Sequence, residues 1–401
     1  MRARPAVFAA ILLLLGASPL LAQTADELFE VNTIHEIRLS VNSRDLALLR
    51  QNYHTNTYYP ADLTWKNLKV RNVGIRSRGL GSRNPTKLGL RVDINRYTTG
   101  QRFVGLSTII LDNIWQDDSM LRERLTFTMF EKMGIAVPRE SFCRLFINNQ
   151  YQGLYAITEE IDGDFTKRVT GQTDGTVFEF HWVSGREFRG EDLGAIAAYK
   201  PLFEPRTHVL EADSTLYDPI VNLFRETNGP DDAVWRTRVD QYLDLDAFVK
   251  QVAIEMFVVE NDSILGSAGM NNFYLYRDQG TTKHRLFAWD KDQAFLFPAR
   301  EAPIRITSNN LLFNRAMAFA DLRNTFLATL EECARIAATD NFLALEIERL
   351  ATLIFDAVRS DPRKQWPEPE RWDQAVEWLR VFAAERPSFV LEEVARIRRG
   401  Q

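Results

Sequence analysis

Apolar residues at positions 88, 90, 92 and 94 alternate with polar ones through 87–94 (KLGLRVDI), the two-residue period of a strand with one buried face. That alternation puts Lys87, Arg91 and Asp93 on the outer face. Residues 70–78 read as a partner strand, and the turn-rich 79–86 (GLGSRNPT) as the tip of a long hairpin. The period then changes. Leu121, Leu125, Met129 and Met133 recur every four residues, which predicts a helix over 119–133 with Ser119 as its N-cap and Gly134 as its stop. Residues 141–147 and 153–158 predict a second hairpin around NNQYQ. Phe248, Val249, Val252, Met256 and Phe257 form one apolar stripe, so a helix capped by Asp246 and ending near Glu260 is expected. A third hairpin, 272–277 and 284–289 about the turn DQGTT, would deliver Asp290 at its end. Beyond Ser308 the pattern is helical over 316–337, 342–358 and 372–399, interrupted by SDPRKQWPEPE at 360–370. Residues 160–237 show no clear period. The pattern therefore predicts an α+β fold, β-rich first and helical last, divided as 1–22, 23–306 and a helical C-terminal extension, 307–401, packed on the core. Neither an internal repeat nor a low-complexity linker argues for independent domains.

The first 22 residues read as a secretory signal peptide. Arg2 and Arg4 supply the positive start, residues 7–15 an apolar run too short to span a bilayer, and Leu20-Leu21-Ala22 a cleavage site. A soluble, exported chain without stable membrane insertion is expected, either periplasmic or extracellular. Loss of those two arginines moves the net charge from −5 to −7, which gives no general reason to expect nucleic acid as a partner. The two cysteines, Cys143 and Cys333, allow at most one disulfide, so a disulfide-scaffolded fold is excluded. The five histidines show neither HxH nor HExxH spacing, and a zinc centre is not expected.

The chemistry concentrates in 287–295, FAWDKDQAF, where Asp290 and Asp292 stand between aromatic residues that read as core. A carboxylate withdrawn from water must be paired, hydrogen-bonded, neutralised or bound to a cation. Asp262 follows a helix, Asn272 opens a hairpin and Asp290 closes it, so one segment can return two carboxylates and an amide to one place. Such oxygen ligands suit Mg²⁺ or Mn²⁺. The order of an Asp on a loop, an Asn, a hairpin and a second Asp is also how protein kinases arrange phosphoryl transfer. Upstream, the 79–86 loop followed by Lys87 offers backbone and a cation for a triphosphate, with Glu159 as a partner that could orient Lys87.

Five stretches in order, RSRGLGSRNPTK (76–87), SMLRERL with GIAVPR (119–139), LFINNQYQGLYAITEEID (145–162), ENDS with NNFYLYRD (260–278) and WDKD (289–292), carry a resemblance over about 32–297. The chain resembles the spore coat protein H (CotH) kinase family of secreted atypical kinases, whose core is similar to the protein-kinase fold. The resemblance implies transfer of the ATP γ-phosphoryl group to Ser or Thr of an envelope or extracellular protein. It implies Asp262 as catalytic base, Lys87 on the nucleotide phosphates with Glu159 in support, Asp290 as main metal ligand, Asn272 as a second metal contact and Asp292 beside them. Arg78, Gly79 and Ser82 would line the nucleotide site, and Arg122 would be a phosphate or structural partner. Asn271 stands where the family usually has His, and Asn149 where it has Gly. Two other readings remain open: a non-catalytic envelope or matrix scaffold of the same fold, and a metal-dependent hydrolase of a phosphate or polysaccharide.

Overall fold

The computed structural model describes residues 23–400, so the expected signal peptide lies outside the described residues. Seven strands, β1 (Ile34–Val41), β2 (Tyr59–Trp65), β3 (Leu68–Ser77), β4 (Leu90–Asp93), β5 (Thr108–Asp112), β6 (Glu140–Ile147) and β7 (Gln150–Glu159), close a barrel in the order β1-β2-β3-β4-β5-β7-β6. Only the β1–β6 pair is parallel. Closure leaves no unpaired edge, and alternate residues such as Ile37, Leu39, Leu63, Ile75, Leu90 and Val92 form its core. A second, antiparallel sheet comprises β8 (Thr176–Phe180), β9 (Phe203–Pro205), β10 (Phe273–Arg277) and β11 (His284–Ala288) in the order β11-β10-β8-β9.

The alternation that predicts the first hairpin holds, since Leu88, Leu90, Val92 and Ile94 are all buried. Pairing with β3 nevertheless starts only at Leu90, and Lys87 is not on the outer face: its side chain is fully enclosed because a carboxylate from the far end of the chain meets it. At the second hairpin Asn148 and Asn149 both take left-handed backbone, φ 51° and 63°, the two-residue turn that asparagine tolerates best. Asn149 thus fills the role of a turn glycine by conformation.

Two predicted caps are corrected. The helix Arg122–Lys132 starts three residues after Ser119, with Leu121 in the N-cap position and no side-chain cap there, while Asp117 from the preceding turn accepts from the Ser119 N–H and hydroxyl and from the Arg122 N–H. The helix Leu245–Phe257 is capped by Asp244, which accepts from the Ala247 N–H, and Asp246 lies in its first turn.

The C-terminal helices, Leu311–Ala318, Ala320–Ala338, Phe342–Arg359 and Pro369–Arg398, share one apolar core with Leu245–Phe257, through Phe248, Phe313, Phe326, Leu379 and Phe382 among others. Arg386, fully buried, donates to the carbonyls of Met256, Phe257, Ala299 and Ala302 and so seals the open C-terminal end of Leu245–Phe257. The chain that leaves this sealed end carries Asp262. Cys143 sits in the barrel core and Cys333 in the helical core, both as free thiols, so the disulfide that the composition allows is not made. Among the described residues no helix is long and apolar enough to cross a membrane.

Candidate active site

The third hairpin assembles the site. Phe273 pairs with Ala288, so Asn272 and Trp289 face each other at its open end, where the Trp289 N–H donates to the Asn272 carbonyl at 3.2 Å. Asp290 follows directly. Both Asn272 and Asp290 adopt left-handed backbone, φ 57° and 51°, a conformation that these two residue types enter more readily than other side-chain-bearing residues. Lys291 fixes the same corner from beneath: its ammonium, with no exposed surface, lies 3.0 Å from the Asn272 carbonyl and 3.0 Å from Glu255 of the helix Leu245–Phe257.

Asp262 is held against this corner by amides. Asn271 Nδ2 donates to both of its carboxylate oxygens at 2.9 and 3.0 Å, and Asn272 Nδ2 to one carboxylate oxygen and to the Asp262 carbonyl, each at 3.0 Å. Asn271 therefore does for Asp262 what a donor ring nitrogen of histidine could do. The Asn272 amide nitrogen is spent on Asp262, which leaves its oxygen as the atom able to meet a cation.

Opposite lies a crevice walled by Arg78, Ile110, Asp112, Glu123, Thr158, Trp289 and Asp290. Arg78 leaves the end of β3, pairs with Asp112 at 2.5 Å and lies over the Trp289 ring at 5.5 Å. Among the described residues no ion pair or hydrogen bond closes on the Asp290 carboxylate. Loss of water raises its pKa to about 6; Arg78 opposes that rise, whereas Asp112 and Asp262 add to it. Asp292, which accepts from the Gln293 amide at 3.0 Å, is pushed well above the carboxylate range by burial and then by Asp290. Glu123 rises through burial, Glu140 and Asp290, and Glu140 rises to about 7 through burial, with Arg124 opposing. A tight crevice lined by three carboxylates, Asp112, Glu123 and Asp290, against one guanidinium, Arg78, is chemically suited to a divalent ion held by oxygen. The atoms present for that role are the Asp290 carboxylate, the Asn272 side-chain oxygen and Asp292.

A second acidic group, Glu179, His181 and Glu204, has ligand atoms within 4.8 Å of one another. Arg206 already occupies it, 3.3 Å from Glu204 and 3.5 Å from Glu179, and the group is an ion-pair network.

Several residues singled out in the sequence stand elsewhere. Lys87 Nζ is bound to Asp361 at 2.8 Å and does not reach the crevice. Glu159 pairs with Arg139 at 2.8 Å and Arg168 at 2.6 Å, so no Lys87–Glu159 ion pair forms. Arg122 is taken by Asp118 at 2.6 Å and Asp117 at 3.5 Å, the structural alternative of its two expected roles. Gly79 opens the loop with φ 98° and its carbonyl accepts from Arg83, while the Ser82 carbonyl accepts from Asn113. Asp112, Glu123, Lys291 and Asp361 are not singled out in the sequence, because tertiary contact alone gives each its role.

The family model described as CotH kinase protein matches residues 75–390, from the end of β3 to the last helix. Among curated proteins, Inner spore coat protein H of Bacillus subtilis is 22% identical over 373 residues, covering 89% of this chain and 97% of that protein. Invasin CotH3 of Rhizopus delemar is 26% identical over 280 residues, covering 61% of this chain and 44% of that protein. The match takes in the crevice, the Asp262 loop, the hairpin and the C-terminal helices together. By the length of the family match, the chain belongs to the CotH kinase protein family.

Proposed function

We propose that this chain is an exported atypical kinase that transfers the γ-phosphoryl group of ATP to a Ser or Thr hydroxyl of an envelope or extracellular protein. The observation that carries the proposal is the Asp290 carboxylate, unpaired at the end of a hairpin, with Asp262 and Asn272 on one side and Arg78 on the other. Family membership supports the same reading. Asp290 and Asn272, with Asp292 adjacent, would hold Mg²⁺ or Mn²⁺, which when bound with nucleotide neutralises phosphate charge. Asp262 accepts the proton of the acceptor hydroxyl while that oxygen bonds to the γ-phosphorus and the bond to the bridging β–γ oxygen breaks, releasing ADP. Asn271 and Asn272 keep the Asp262 carboxylate oriented for that transfer. Arg78 offers the cation that phosphates need on the crevice side, the part first expected of Lys87. Catalysis of this kind is positioning plus charge stabilisation.

The direct test follows γ-labelled phosphate from ATP into candidate substrate proteins, with Mg²⁺ or Mn²⁺ present. Wild type should label them and Asp262→Asn should lose about 10²–10⁴ in rate. Folded wild type that binds metal-nucleotide yet transfers nothing sinks the catalytic claim. It would leave the second reading, a non-catalytic surface scaffold, which the relatives' names, a spore coat protein and an invasin, favour. Those names also fit an extracellular location.

A further inference from the structure

The loop between the last two helices, 360–368, reaches the barrel and inserts Asp361 into its wall. The Asp361 carboxylate accepts from three donors: Lys87 Nζ at 2.8 Å, the Leu154 N–H at 2.9 Å and the Arg363 N–H at 2.8 Å. The wall is shaped to admit it. A Cβ on Gly153 would lie 2.3 Å from Asp361 Oδ1, so any other residue there would displace the carboxylate. Lys87 closes the 79–86 loop, and four more hydrogen bonds fix the same end of that loop. Asn84 Oδ1 accepts from the Lys87 N–H at 2.7 Å, Asn113 donates to the carbonyls of Ser82 and Lys87 at 3.0 and 2.7 Å, and Arg363 donates to the Thr86 carbonyl at 3.0 Å. The other end of the loop begins at Arg78, on the crevice.

We propose that Asp361 and Lys87 are positioning residues: the C-terminal segment, through this buried ion pair, sets the place of the 79–86 loop beside the nucleotide site, and Lys87 itself does not touch nucleotide. The proposal rests on the nucleotide reading above. A buried ion pair is lost badly when one partner is removed and is often replaced without loss by a matched apolar pair. That asymmetry separates positioning from contact.

Full-length mature protein is compared as wild type, Asp361→Asn, Lys87→Met, the double variant Lys87→Met/Asp361→Leu, and Arg363→Ala. Two quantities are read well below the unfolding temperature: KM and kcat for Mg²⁺-ATP, and the rate of tryptic cleavage after Arg83. Each single variant should raise KM by about tenfold with a smaller change in kcat, and should speed cleavage, because a loop displaced by an ångström loses its alignment. The double variant should bring both back to within about threefold of wild type. Arg363→Ala, half-exposed and without effect on the pair, should move both in the same direction by less.

A folded double variant with KM still raised a hundredfold means that Lys87 contacts the nucleotide, and overturns the proposal. Unchanged KM and cleavage in singles that have merely lost thermal stability reduces the pair to a structural pin, which also overturns it. If the double variant does not fold, Arg363→Ala decides by the same two quantities. If wild type itself shows no response to metal-nucleotide, the kinase reading fails, and the cleavage rates still decide whether Asp361 places the loop.

Discussion

Asp290 is a carboxylate kept at a site where it costs stability. Its pKa of about 6 in the fold, against an ordinary 3.8, means that the folded state binds a proton more tightly than the unfolded chain does. Ionising it at neutral pH therefore subtracts from stability. Asp290→Asn should accordingly raise the unfolding temperature of the ligand-free protein while abolishing its response to metal-nucleotide, the exchange of function for stability seen at active sites. A ligand-free variant less stable than wild type would mean that the carboxylate is satisfied by something other than a bound cation. Glu140 gives the pH dependence at a residue outside the expected ligand set. Burial lifts it from 4.5 to about 7, so stability should fall as pH rises through that window, and Glu140→Gln should flatten the fall. Thermal unfolding from pH 4.5 to 7.5 measures both slopes, and parallel slopes would remove Glu140 as the cause.

At the scale of elements, the hairpin β10–β11 and the helix Leu245–Phe257 are joined by Lys291, whose ammonium bridges Glu255 and the Asn272 carbonyl. Lys291→Met leaves Glu255 buried without its cation and should cost about 3–5 kcal/mol. Adding Glu255→Leu should recover most of that. Denaturant titration checks it: equal losses in the single and double variants would show that the bridge is not the strut described. This strut was not legible beforehand, although the hairpin was. Alternation, turn residues and apolar stripes are local, and they located all three hairpins and the helix before Asp262 correctly to within a few residues. Caps failed where two acceptors stood close together, Asp117 near Ser119 and Asp244 near Asp246, because geometry and not residue type decides which side-chain oxygen meets the free N–H groups. Of the candidate site, Asp262, Asn272, Asp290 and Arg78 do come to one region, since a hairpin register or a strand end places each. Lys87 and Glu159 did not pair because their partners, Asp361 and Arg139 with Arg168, come from elsewhere in the fold, and no spacing rule sees a contact across that separation.

For the whole molecule, barrel, second sheet and helices depend on one another. The last helix buries Trp372, Leu379, Phe382 and Val390 in the same core as the helix that leads to Asp262, and Arg386 seals that helix's end. Truncation before residue 360 should therefore abolish cooperative unfolding of the remainder, because it exposes that face and strands Lys87 inside the barrel wall. A truncated chain that unfolds in one sharp transition would show the C-terminal helices to be an independent addition. The most direct test of the central claim reads the same global transition in the intact chain. Its unfolding temperature is measured alone, with Mg²⁺-ATP and with Mn²⁺-ATP, beside Asp290→Asn. Ligand at a hundred times its dissociation constant stabilises by about 2.7 kcal/mol, a shift of several degrees. The account predicts that shift in wild type and none in Asp290→Asn; equal behaviour of the two folded proteins, shifted or not, would contradict it.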